Sequence, residues 1–313
     1  MCQVASAGRH PFPHKALGQR LSNWGRWGAE DERGTLNFIT PARIVVAAAE
    51  AREGRVFELS IPLGSNGPQT GVANRTNPIH LMSIMPGDLS APDGMCVADD
   101  FIAMPLQSGT QWDGLAHVGY DGLLYNGVSA DTITAMSGVA RNAIDRALPG
   151  VTGRGVLLDI ARLHGVEWLP AGHEITPEDL DRACVAQRVE VGSGDILLVR
   201  TGWRRKALVE GWGGWLDAEP GLGLACCEWL HRHEIAAVAS DNYAVEVQPG
   251  QGAYLPVHCV LIRDMGMMLG EIFDLEDLSA DCAADGRYSF LLVAPPLRVA
   301  NGVGSPTSPI AIK

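Results

Sequence analysis

At 313 residues the chain is one large domain or two ordinary ones, and an apolar share of 46% suffices for a substantial core. A net charge of −12, with 24 lysines and arginines, argues against nucleic acid or an anionic membrane as partner and against a highly anionic substrate. Seven cysteines, an odd number with no CxxC pair, fit reduced intracellular thiols. The opening residues lack the apolar core of a secretion signal, and no apolar run approaches the ~20 residues of a membrane span, so a cytoplasmic location is expected.

Residues 1–22, polar and bearing His and Pro, are expected to form an N-terminal arm, poorly ordered or laid on a neighbour. The main domain is expected over 23–304, with a Pro-rich tail at 305–313. Asn23-Trp-Gly-Arg-Trp-Gly28 is either a packed loop or an aromatic wall of a pocket or interface, which makes Trp24 a substrate-contact candidate. Thr40-Pro41 opens a capped helix running to Glu53 with a stop at Gly54. Val56–Leu63 alternates like a strand, and 64–100, rich in Gly, Pro, Asn and Asp, predicts a long irregular loop. His80 lies in that loop as a further substrate-contact candidate, although a lone loop histidine is more often structural.

Beyond residue 120, a short helix is expected near 140–147 and buried strands at 155–160, 195–200, 236–240 and 289–293. Helices are expected at 176–188, capped by Thr176-Pro-Glu-Asp, and at 222–233. Strands and helices mix without repeat or composition break, so one α/β domain is the simplest reading. His164, His173, His231 and His233 read as surface or helix-end residues.

The chemistry concentrates in Gln107-Ser-Gly-Thr-Gln111-Trp-Asp113-Gly-Leu-Ala-His117. In a helix Gln107 and Gln111 would share a face, with Asp113 turned roughly 160° from Gln111. In an extended chain all three fall on one face, but a straight strand separates residues four apart by ~13 Å. A bend at Ser108-Gly109-Thr110 would let the three oxygens converge. The bland alternative is that the glutamines bond buried backbone and Asp113 caps a turn. No GxSxG elbow, Walker A loop, HExxH or zinc-finger spacing occurs, and no cysteine lies in a nucleophile signature.

This stretch resembles the HxGTHxDxPxH signature of the cyclase-like metal-dependent amidohydrolases, the family of kynurenine formamidase, isatin hydrolase and trans-dienelactone hydrolase. Gly109, Thr110, Asp113 and His117 match directly; Gln107 and Gln111 replace the leading histidines and Leu115 the proline. Gly34-Thr-Leu-Asn37, Arg200-Thr-Gly-Trp203, Ser240-Asp241 and the block from Pro256-Val-His258 to Glu271 extend the likeness over most of the chain. The resemblance implies a single domain with a compact mixed, barrel-like sheet flanked by helices, in a homodimer or homotetramer. It places Gln107, Gln111 and Asp113 around a divalent ion, His258 and Glu271 as distal ligands, and His117 as general base. Carboxamide oxygens are harder and weaker ligands than imidazole, which favours Mn²⁺ while Zn²⁺ and Mg²⁺ remain possible.

The expected activity is hydrolysis of a formamide, lactam or lactone, with Trp24, Trp112 and Trp203 sandwiching a flat or aromatic small molecule. Ring closure or dehydration at the same site, or metal-free binding of a small molecule, are the alternatives.

Overall fold

The runs at 155–160, 195–200 and 236–240 lie side by side at the centre of the computed structural model, which describes residues 12–89, 91–250 and 252–313. In chain order the strands are β1 (Val56–Glu58), β2 (Ile79–Ile84), β3 (Asp99–Ala103), β4 (Gln111–Asp113), β5 (Thr152–Asp159), β6 (Glu174–Ile175) and β7 (Ile196–Arg200). They continue as β8 (Gly221–Leu222), β9 (Ala237–Ser240), β10 (Met268–Glu271), β11 (Ser289–Val293), β12 (Gly304–Pro306) and β13 (Ile310–Ile312). The helices are α1 (Pro13–Leu21), α2 (Pro41–Ala48), α3 (Ile160–Leu163), α4 (Pro177–Gln187), α5 (Trp203–Glu210), α6 (Cys226–Arg232), α7 (Pro256–His258) and α8 (Glu276–Asp285).

Nine strands form one mixed sheet in the order β1-β13-β11-β5-β7-β9-β10-β4-β12, curled into an open half-barrel with helices against it. Strands β5, β7, β9 and β10 run parallel, and antiparallel strands extend both sides. The parallel strands are covered on both faces, which is why β7 reads Ile-Leu-Leu-Val without polar alternation. Thr40 caps α2 by accepting from the Arg43 amide, and Thr176 and Asp179 form a reciprocal capping box on α4, as the sequence signalled.

Several boundaries differ from expectation. Strand β1 stops at Glu58, since beyond it only Ser60 bridges to Phe273. The loop over 64–100 carries most of an antiparallel hairpin, β2 with β3. Of the helix expected at 140–147 only a 3₁₀ turn, Ile144–Ala147, forms. Helix α6 starts late because Gly221 and Leu222 pair with Glu174 and Ile175. The expected arm is described from residue 12 on, where α1 sets Leu17 and Leu21 into the core; residues 1–11 lie outside the described residues. The expected tail belongs to the sheet: β12 tolerates Pro306 because it is an edge strand, and β13 ends at a fully buried Lys313 whose Nζ bonds Asp281 at 2.7 Å and Asp285 at 2.8 Å.

Among the described residues the cysteines at 96, 184, 226, 227, 259 and 282 are free. No helix of the described residues is long and apolar enough to cross a membrane.

Candidate metal centre

The segment opening at Gln107 bends ahead of β4 as expected, although Gly109 takes no left-handed φ there. Ser108 turns back on the Pro105 carbonyl through its amide (3.2 Å) and hydroxyl (2.8 Å). Thr110 then clamps the entry to β4, its hydroxyl donating to the Ile272 carbonyl at 2.5 Å and accepting from the Ile61 amide at 2.9 Å. Strand alternation puts Gln111 and Asp113 on one face and Trp112 on the other. Antiparallel register sets Gln111 opposite Glu271 and Asp113 opposite Leu269 on β10. On the other side Gly304 of β12 faces Asp113, and a Cβ there would lie 2.5 Å from Gln107 Nε2. The missing side chain at Gly304 is therefore the space into which the Gln107 carboxamide reaches.

His258 arrives from the far end of the chain. Helix α7 starts at Pro256 and continues as a π-helical turn, Cys259–Met265. Glu246 receives its first turn, accepting from the Val257 amide (3.1 Å), the His258 amide (2.9 Å) and His258 Nδ1 (2.5 Å). This aims Nε2 at Glu271 Oε1, 3.2 Å away, and at Asp113 Oδ2, 3.8 Å away. A carboxylate behind a ligating imidazole fixes its tautomer and orientation.

The N-terminal motifs hold the same segment. Asn23 Nδ2 donates to the Met265 carbonyl (2.9 Å), Trp24 Nε1 to the Arg263 carbonyl (2.7 Å), and the Thr35 amide to the Gly266 carbonyl (2.8 Å) at its end. Val245 and Ile272, which flank Glu246 and Glu271, take φ of 59° and 58°. β-branched residues rarely adopt this left-handed conformation, and such strain gathers at functional sites.

Asp113, His258 and Glu271 are all buried and offer ligand atoms within 4.8 Å of one another. Gln111 Nε2 donates to Glu271 Oε2 at 2.5 Å, leaving Gln111 Oε1 and both Asp113 oxygens buried with no hydrogen-bond donor. Three unsatisfied acceptors at one point are costly unless a cation meets them. Burial first, and Glu271 second, lift the Asp113 carboxyl to about 6. Burial works to lower His258, but its bonds to Glu246 and Glu271 outweigh that and hold it up at about 10. His117 lies at the rim, half-buried, with Nε2 3.7 Å from Asp113 Oδ1. Burial pulls it below the usual imidazole value despite Asp113, so it is neutral at pH 7.

The other predicted contacts are placed elsewhere. Trp112 is fully buried behind β4, bonded to the Ala294 carbonyl (2.8 Å) and edge-on to Phe273. Trp203 is buried in a separate cluster, where it and Trp215 exchange indole-to-carbonyl bonds of 3.0 Å. His80 is on the exposed hairpin, 2.6 Å from Asp100. Trp24 is committed to fastening the helix, with Arg263 stacked on its ring at 4.6 Å. Alternation along β4 already sets Trp112 opposite Asp113, so that error was avoidable.

Asp241 of the Ser240-Asp241 pair accepts from the Thr201 amide (2.7 Å), the Thr201 hydroxyl (2.6 Å) and the Gly202 amide (2.8 Å), locking the Arg200-Thr-Gly-Trp turn. Glu246, Arg75 and Tyr243 were missed; they lie in segments with no motif spacing. A second His/Asp group, His164, His173 and Asp179, also assembles, with His164 exposed and His173 half-buried, in line with their reading as surface residues.

Comparisons with known proteins agree with this architecture. A family model named Cyclase and described as "Putative cyclase" matches residues 57–247. Isatin hydrolase of Roseibium aggregatum is 28% identical over 142 residues, 43% of this chain and 51% of that enzyme, so the match spans about half the relative's length. A crystal structure of a novel cyclase is 42% identical, covering 95% of this chain and 99% of the other at a TM-score of 0.88. Isatin hydrolase A from Labrenzia aggregata, bound to benzyl benzoate, shares the fold at 19% identity, with coverage of 86% and 96% and a TM-score of 0.61. With a family model matched over residues 57–247, more than half of the chain, and a near-complete structural match at 42% identity, the chain belongs to the Cyclase family.

Proposed function

We propose that this protein is a metal-dependent hydrolase that cleaves the acyl C–N or C–O bond of a formamide, lactam or lactone. What carries the reading is one observation: buried, donorless oxygens of Gln111 and Asp113 gather with His258 and Glu271 beside a half-exposed His117. Asp113, His258 and Glu271 would hold the ion, with the Gln111 oxygen beside them. The mainly oxygen donor set favours Mn²⁺, with Mg²⁺ or Zn²⁺ as alternatives. A divalent ion bound there would acidify a water and polarise the scissile carbonyl.

The chain's own part is proton handling and orientation. His117 Nε2 takes a proton from the attacking water and returns one to the leaving nitrogen or oxygen. Glu246 keeps the His258 ring turned inward throughout. The half-exposed Tyr243 ring is the aromatic surface available to a flat substrate, in place of the buried Trp112 and Trp203. His117→Ala is expected to cut kcat on formamides and lactones by about 10²–10³-fold with metal content retained. Full turnover by that variant, in Mn²⁺-supplemented assays, would remove the reading.

The hairpin supports a homodimer or homotetramer. Ile79, Leu81, Phe101 and Ile102 are 46–53% exposed on it, and a two-stranded ribbon is marginal when nothing covers it. Light scattering is expected to give a multiple of 33.3 kDa; a monomer at micromolar concentration would end this proposal.

A further inference from the structure

We propose that Arg75 binds a carboxylate on the substrate, so that the site selects carboxylate-bearing amides or lactones. This inference rests on the hydrolase reading above and names its substrate class.

Arg75 ends a knot of backbone between β1 and β2. Gln69 Nε2 donates to the Gln107 carbonyl (3.4 Å) and the Ser108 carbonyl (3.1 Å), fastening this loop to the segment that carries the site. Asn77 crosses the loop, accepting from the Gln69 amide (2.9 Å) and donating to the Gly67 carbonyl (3.2 Å). The half-buried guanidinium is then aimed by two contacts, Nη1 to the Tyr243 hydroxyl at 2.9 Å and to the Gln107 carbonyl at 3.5 Å. Tyr243 is itself fixed, because Glu219 accepts its amide and that of Ala244, each at 2.7 Å.

Among the described residues Arg75 has no carboxylate partner, and Nε and Nη2 have no protein acceptor. Its contact with the Gln107 carbonyl sets it beside the segment that carries the site, and its charge acts on Asp113 and His117. A planar fork with two free donors matches a carboxylate.

A carboxylate complements the unpaired guanidinium, whereas a neutral substrate leaves its free donors unmet.

The test uses the full-length, Mn²⁺-loaded protein and two substrates that differ by one carboxylate, N-formylanthranilate and formanilide. Wild type is expected to favour the carboxylated member in kcat/KM by at least about tenfold, the range of a charge-assisted hydrogen bond. In Arg75→Gln that ratio should collapse towards one, and Arg75→Lys, which keeps charge without the fork, should fall between. An unchanged ratio in Arg75→Gln, or no preference in wild type, overturns the proposal. Should neither compound turn over, calorimetry with benzoate decides: binding at least about tenfold weaker in Arg75→Gln upholds the inference while the hydrolase reading fails, and equal binding overturns it.

Discussion

Asp113→Asn is expected to lower metal-supported turnover by at least about 100-fold and yet to raise the melting temperature of the metal-free protein. The two effects have one cause. Asp113 is fully buried, lies near Glu271, and has no hydrogen-bond donor on either oxygen. Burial and that second carboxylate raise it to about 6, well above an ordinary aspartate. A folded-state pKa above the unfolded one means that the folded protein holds the proton more tightly. Stability from this group is therefore fully present below about pH 4 and is lost as pH rises through about 6. At pH 8 the ionised carboxylate costs the metal-free protein on the order of 2–3 kcal/mol, which asparagine does not. The variant should melt a few degrees higher than wild type at pH 8 without metal, and the difference should vanish near pH 4. Wild type, but not the variant, should gain stability with Mn²⁺. Melting curves at both pH values, with and without Mn²⁺, check this; a variant that melts lower at pH 8 and still responds to Mn²⁺ would show that Asp113 does not face the ion.

The double change Gln107→His with Gln111→His is expected to raise Zn²⁺ affinity by about 100-fold and reverse a preference for Mn²⁺. Gln111 is on the β4 face that carries Asp113, and the space at Gly304, opposite Asp113, already accommodates a planar side chain from residue 107. Imidazole nitrogens are softer and stronger donors than carboxamide oxygens, so Zn²⁺ gains far more than Mn²⁺ or Mg²⁺. A histidine at 111 also has a ring N–H to replace the amide donor that Gln111 gives to Glu271. Competition of each ion against a chelating indicator measures the shift. An unchanged Zn²⁺-to-Mn²⁺ ratio would mean that residues 107 and 111 do not reach the ion.

Much of the framework was legible because its determinants are local. Thr40-Pro41 and Thr176-Pro-Glu-Asp are capping chemistry within one helical turn, and both helices start there. The runs that became β5, β7, β9 and β11 carry enough consecutive apolar residues to be strands in any context with two covered faces. Local composition misled where pairing was decided at a distance. Polar, Pro-bearing residues 305–313 look like a tail, but β12 completes the edge of the sheet beside β4 and β13 fills the place between β1 and β11. Residues 64–100 are rich in turn formers, and the hairpin within them depends on residues some twenty positions apart meeting in register.

For the site, the sequence alone determined which face of the extended chain carries Gln111 and Asp113, since alternation in a strand is a property of the backbone. Only the tertiary structure decided what meets that face. Glu271 comes opposite Gln111 through antiparallel register, and His258 is turned inward by Glu246, a residue with no motif of its own. Arg75 reaches the Gln107 carbonyl from a loop that composition marks merely as irregular. The physical reason is range: caps, bends and strand faces are set within a few bonds, whereas a ligand set is assembled by pairing and packing between segments far apart in the chain.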